Sequence, residues 1–247
     1  MAWFTNICNP QFSMIDGLVV TFIDNIQQTD LTSMILKILV KLNEYVPELV
    51  FSQFFNNMQF PKALIQYMEQ TEFANLSGDA FILLINIFDE DTTPEHISID
   101  FIKKLMSALE YIEDEATLDS LISILVCLCP YFEKKSDDPD DISKNPILKE
   151  FVDKETLYRE KLIRLTNRGT IYRLDKCCKT LNIILSKDEV ASYYFNTNDL
   201  NLIMDILIRE ALQNTQSKTR VQILKLMETV LDNPIYREYK YRFADVE

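Results

Sequence analysis

The sequence predicts an all-α chain, an irregular armadillo-like helical solenoid, from three observations. Apolar residues recur at helical spacing from end to end, in segments of about 10 to 20 residues joined by short connectors. Only 3 Gly and 8 Pro occur in 247 residues, and no alternating apolar and polar run is flanked by Asn-Gly or Asp-Gly, so hairpins lack their punctuation. Hydrophobic residues make up 47% of the chain, ample for a substantial core. Periodicity gives helix faces and not the path of the chain, so a compact bundle is the competing architecture.

In order along the chain, helices are expected near 14–28, 31–46, 48–57, 61–71, 79–89 and 98–113, and then near 116–132, 147–166, 170–186, 188–194, 198–214 and 217–231. Asp30 and Ser77 can cap the second and fifth, and Pro47 and Pro61 suit first-turn positions, where the missing N–H has no helical partner to lose. LTSMILKILVKL, TLDSLISILVCL and RVQILKLMETVL look like variants of one apolar helix. Their spacing is irregular and fits no tetratricopeptide or ankyrin consensus. Gly169 can supply the positive φ at which a helix commonly ends. EKKSDDPDDISKNP, residues 133–146, is charged and nearly free of apolar residues, which predicts a surface loop inside one domain spanning 1–247. A boundary between two subdomains is the alternative.

The segment 198–214 is the most informative. Asn196 or Thr197 can accept a hydrogen bond from its first turn, where Asn198 and Asp199 place polarity and negative charge. Leu200, Leu202, Ile203, Met204, Ile206, Leu207, Ile208, Ala211 and Leu212 then cover most of the cylinder, so neighbours are expected on several sides. The exception is a row four apart: Asn201, Asp205, Arg209 and Gln213, in which Asp205 and Arg209 have the spacing of an ion pair. That row needs water or a partner, and it is the candidate contact surface.

Charge narrows the partners. The net charge is −13, which weighs against nucleic acid and anionic lipid, both of which attract an excess of Lys and Arg. All eight Arg lie at or beyond Arg159, and between Leu157 and Thr180 seven basic residues face only Glu160 and Asp175. Arg suits bidentate recognition and protein interfaces, so a protein partner is sought in the C-terminal part, with an ordinary solvated basic face as the plain alternative. FILLINIF is too short to cross a bilayer and LISILVCLC is interrupted by Ser123, so no membrane span is expected. MAWFTNICNPQF lacks the basic start and apolar segment of a secretory signal, which makes the cytoplasm the default compartment.

Catalytic chemistry finds little to work with. His96 is the only histidine, and Thr93 and Pro94 before it suggest the start of a helix, hence a capping or surface role and not a general base. Asp137, Asp138, Asp140 and Asp141 resemble the aspartate-rich signature of helical prenyl-chain enzymes, but Pro139 sits among them and the Gly and terminal Glu of an EF-hand are missing. DED at 89–91 is better explained as a helix terminus. The three glycines are too far apart for a phosphate loop. Cys8, Cys127, Cys129, Cys177 and Cys178 form neither a metal framework nor an even disulfide set. With Leu174, Leu181 and Ile184 at helical spacing, Cys177 and Cys178 are expected in the core. Trp3 is either a core anchor or a partner contact. No metal, cofactor or enzyme activity is expected.

The last third carries more specific motifs. LTNRGTIYRLDKCCKTLNIIL contains NRG at Asn167 to Gly169 and YR at Tyr172 and Arg173; YYFNTNDLNLIMDILIRE and METVLDNPIYREYKYRFADV follow, the latter with NP and YR at 233–237. Over approximately residues 158–246 this pattern resembles the leucine-rich domain of the WISH/DIP/SPIN family. The resemblance implies an armadillo-like domain that binds the Arp two/three complex and activates it without a pre-existing filament, giving unbranched seeds and touching actin filaments indirectly. It implies cortical actin as the setting. Vertebrate relatives add an SH3 domain and a Pro-rich region, and this chain resembles the minimal activating domain alone. Activators that deliver actin monomers use an actin-binding helix and a terminal acidic segment containing Trp, whereas this terminus reads YRFADVE. Activation is therefore expected through tighter binding of the active arrangement of the complex. Arg168, Arg173, Tyr236 and Arg237 join the row of four as candidate contacts. A helical scaffold for another helix or peptide is the alternative function.

Overall fold

The computed structural model describes residues 14–45, 59–70, 80, 83–84, 97–138, 140–168, 173–239 and 241. Every described element is a helix, and among the described residues there is no strand. The chain divides into two compact units, residues 1–124 and 125–247. The expected helix at 48–57, most of that at 79–89, and Trp3, Cys8, Pro47, Ser77, DED at 89–91, His96, Pro139 and Gly169 lie outside the described residues.

In the first unit, α1 (Met14–Asp24), α2 (Thr29–Tyr45), α3 (Gln59–Gln70) and α4 (Ile99–Ala108) are described. Ile15, Val19 and Phe22 fall on one face of α1 and are buried, each worth about 1.5–3 kcal/mol relative to exposure. Phe22 meets Phe60 and Tyr67 of α3 edge-on, with ring centroids at 5.4 and 5.7 Å. Asp30 lies inside the first turn of α2 and is not its cap. At α4 the cap is Ser98, whose side chain accepts from the Phe101 N–H at 3.0 Å.

A long helix, α5 (Glu115–Lys135), contains the division between the units. It is long and apolar enough to cross a membrane, yet 72% of its apolar window is buried inside the protein. Pro130 sits within it. Proline has no N–H to give the carbonyl four residues earlier, here that of Val126, and the buried Thr180 hydroxyl donates to this oxygen instead at 3.0 Å. A missing helical bond is thus replaced by a tertiary one.

In the second unit, a 3-10 turn (Ile142–Lys144) leads into α6 (Pro146–Asp153), α7 (Glu155–Arg168), α8 (Leu174–Leu185), α9 (Asp188–Ala191), α10 (Thr197–Gln213), α11 (Ser217–Asp232) and α12 (Pro234–Tyr239). The single helix expected at 147–166 is two. Lys154 leaves helical geometry at φ −114 and ψ 43, and its carbonyl accepts from the N–H groups of Leu157 and Tyr158 to start the next helix. The corner lets Phe151 and Tyr158 pack ring to ring at 4.8 Å. Helices pack on their sequence neighbours and on helices further along: α7 on α8 and α10, α8 on α11, and α10 on α11 and α12. This irregular stacking is that of an armadillo-like solenoid, and α8 is buried nearly all round within it.

One polar knot fixes the start of α6. Asn145 is 1% exposed. Its side-chain oxygen accepts from the Leu148 N–H, while its amide donates to the Cys129 carbonyl and to Glu133 Oε2, both at 3.0 Å. Glu133 also pairs with Lys187 Nζ at 2.5 Å. Because every member has a partner, the knot avoids the penalty of a buried orphan group.

Candidate functional site

The candidate surface is built on α10. Asn196 is its cap: the side chain accepts from the N–H groups of Asn198 and Asp199 at 2.9 and 3.1 Å, and Asp199 accepts the Asn196 N–H in return. This reciprocal box fixes where the row begins. Asp199 also meets the Arg159 guanidinium of α7 at 3.4 Å. Leu200, Ile203, Met204, Ile206 and Leu207 are buried, as the nearly continuous apolar pattern predicts. Leu202 and Leu212 are not: they are 47% and 84% exposed and flank the polar row.

Along that row exposure rises toward the C-terminal end. Asn201 and Asp205 are half-buried, Arg209 and Gln213 exposed. The Asn201 Oδ1 atom is buried without a hydrogen-bond partner. Asp205 Oδ2 accepts from the Tyr241 hydroxyl at 3.0 Å. The expected ion pair between Asp205 and Arg209 does not form. Arg209 turns to Glu210 at 2.7 Å and to Asn167, donating to its side-chain oxygen at 2.9 Å and its carbonyl at 3.2 Å. A tertiary partner 42 residues away displaces the neighbour one turn away, which spacing within one helix cannot foresee.

These bonds join the motifs. Asn167 of NRG and Arg209 of DILIRE are hydrogen-bonded partners, so Arg168, exposed at the end of α7, is carried to the flank of the row. Tyr236 is 1% exposed, a core residue of α12, and its hydroxyl donates to the Tyr241 carbonyl. Its link to the row runs through the backbone that presents Tyr241 to Asp205. Arg237 is exposed and held by Asp232 at 2.5 Å. The structure does not bring it to the row by any hydrogen bond.

Arg173 sits apart, with φ 57 and ψ 70, a left-handed conformation at the start of α8. Non-glycine residues hold this conformation at a cost of about 1–2 kcal/mol. Its guanidinium lies 3.8 Å from Asp175. It lines a cavity of about 320 Å³ with Asn214 and Gln216, just past the end of α10, and with Lys218 of α11. Sequence reasoning missed this cavity, because its walls come from connectors as well as helices.

The basic run between Leu157 and Thr180 is not one face. Arg159 is tied to Glu155 and Asp199, and Lys176 is fully buried. Among the described residues no three or more His, Cys, Asp or Glu side chains are grouped to hold a metal ion. In the aspartate-rich loop, Asp137 lies 3.5 Å from Lys144, and Asp141 accepts from the Ser143 hydroxyl and N–H. Those bonds hold the Asp141 carboxyl below the usual carboxylate range. The four described cysteines are buried free thiols. Burial pushes Cys129 and Cys178 up to about 12, and Cys177 well above its ordinary value, which makes them poor nucleophiles.

A family model described as the SPIN90/Ldb17 leucine-rich domain matches residues 114–246. The match begins with the residues just before α5, well ahead of the motifs legible from residue 158. No curated protein and no solved structure matches.

Proposed function

We propose that this chain, which belongs to the SPIN90/Ldb17 leucine-rich domain family, is a non-enzymatic activator of the Arp two/three complex that starts unbranched actin filaments without an existing filament. Family membership implies an actin-regulatory role connected with that complex. The unbranched product, the cortical setting and the contact residues belong to this proposal.

The observation that carries the proposal is the polar row of α10, set on a helix buried against α7, α11 and α12. A surface on a packed helix keeps its geometry when it binds, so little ordering entropy is lost. Asn201, Asp205, Arg209 and Gln213 form the contact row, with Arg168 beside it. Arg173 has a strained backbone, held only where the surrounding structure over-determines it, and such residues cluster at binding and switch sites. Tyr236 acts from the core by positioning Tyr241, and Arg237 lies on the periphery.

Activation follows from differential affinity. A partner that grips the active arrangement more tightly shifts the population toward it. Moving that equilibrium from 1:99 to 99:1 takes about 5.5 kcal/mol, within reach of an interface of ordinary size. The test is a fluorescence assay of actin assembly with purified Arp two/three complex, this chain, and neither filaments nor a monomer-delivering activator. The lag should shorten as the chain is added, and single-filament imaging should show linear seeds. A lag independent of concentration refutes the proposal and favours a generic helical scaffold.

A further inference from the structure

The aspartate-rich loop borders an open cleft of about 420 Å³ that the actin-regulatory reading does not use. Its lining is drawn from Asp140, Asp141 and the 3-10 turn that follows, from the C-terminal end of α6, and from the short α9 and Tyr193 just after it. Its surface combines the half-buried Ile142 and Val152 with Tyr193, which is 50% exposed. The cleft is strongly acidic. Asp140, Asp141, Asp153 and Glu189 face Lys149 as the lone cation of the lining, and Lys149 is already tied to Asp153 at 2.5 Å. Asp140 and Glu189 are exposed and have no ion-pair partner among the described residues. The carbonyl end of α6 adds further negative potential.

We propose that this cleft receives an extended, Lys/Arg-bearing segment of a partner protein. A single cation does not suit it, because among the described residues no three carboxylates are grouped to hold a metal ion. Nucleic acid is repelled by the same charge. An extended chain suits this mixed lining: its cationic heads pair with Asp140 and Glu189, its apolar side chains meet Ile142 and Val152, and an arginine plane stacks on Tyr193. Asp141 is fixed by Ser143, so that part of the lining is set before binding.

The probe is a fluorescein-labelled peptide of Arg-Leu-Lys repeats, titrated by anisotropy with the full chain, against a peptide in which Gln replaces each cation. The basic peptide should bind saturably at low salt and lose affinity as salt screens the walls. Asp140→Asn with Glu189→Gln should weaken it about fivefold, and Tyr193→Ala about threefold. Glu160→Gln with Glu238→Gln, equal in charge and outside the cleft, should leave affinity unchanged, and all variants should keep wild-type helicity. Equal loss from the outside pair, equal binding of the Gln peptide, no saturable binding, or self-association in place of peptide binding overturns the proposal. The assay contains no actin components, so its failure and that of the actin-assembly reading are separate results.

Discussion

Replacing Thr180 with Val keeps the shape of the side chain and removes its hydroxyl. The Val126 carbonyl then has neither a helical donor, because Pro130 lacks one, nor the tertiary donor now at 3.0 Å. A buried acceptor left without a partner costs about 1–3 kcal/mol, which for a chain of this length lowers the melting temperature by roughly 2–4 °C per kcal/mol. Thermal and urea unfolding followed by circular dichroism measure the loss. The decisive variant is Pro130→Ala, which returns an N–H to the helix. In that background Thr180→Val should cost at least about 1 kcal/mol less than in the parent chain, a coupling of the size expected for groups sharing one bond. Thr180→Ser, which keeps the hydroxyl, should lose only about one buried methyl group, near 0.8 kcal/mol. Equal costs for Thr180→Val with and without Pro130 would refute the account of the replaced bond.

Asn145→Ala should cost about 2–3 kcal/mol, since it removes a helix cap and takes one buried hydrogen bond each from Glu133 and the Cys129 carbonyl, again measured by urea unfolding. Arg209→Glu should leave helicity unchanged while weakening binding to the Arp two/three complex, and Asn167→Ala, which removes the side-chain acceptor of Arg209 but keeps the backbone carbonyl and Glu210 as its partners, should leave binding nearly intact in a pull-down. Iodoacetamide at pH 7 should modify Cys127, Cys129, Cys177 and Cys178 only after unfolding, as read by mass spectrometry. The folded-state values of Cys129 and Cys178 stand near 12 against 9.0 for a free thiol, so the folded state holds more protons between those values. Stability should therefore be full below pH 9 and fall above it toward pH 12, by about 1.4 kcal/mol per pH unit for each thiol.

The helices were legible where local chemistry and burial agree. For α10, Asn196 and Asp199 mark the start and the apolar pattern marks the body. Where tertiary structure intervenes the sequence is silent. Apolar periodicity runs from Leu148 and Phe151 to Tyr158 and Leu162 across the corner at Lys154, since both helices bury residues on the same side of the turn. Pro130 within α5 tells nothing of Thr180, fifty residues away. The short α12 did carry a signal that was missed as a helix start: Asn233 accepts from the Ile235 N–H at 3.0 Å, with Pro234 as the first helical residue. Of the candidate row, the polar character was visible in the spacing, but the turn of Arg209 toward Asn167 was not.

The hydroxyl of Tyr241 resting on Asp205 has a practical consequence for anyone shortening or tagging this protein. A fragment ending before Tyr241 lacks the hydroxyl that donates to Asp205 Oδ2, so it and the intact chain offer different polarity at the same helix. A bulky fusion close behind Tyr241 risks lifting it away. Measurements on versions with and without Tyr241 therefore compare two distinct surfaces, and any change in potency between them must first be checked against the single substitution Tyr241→Phe.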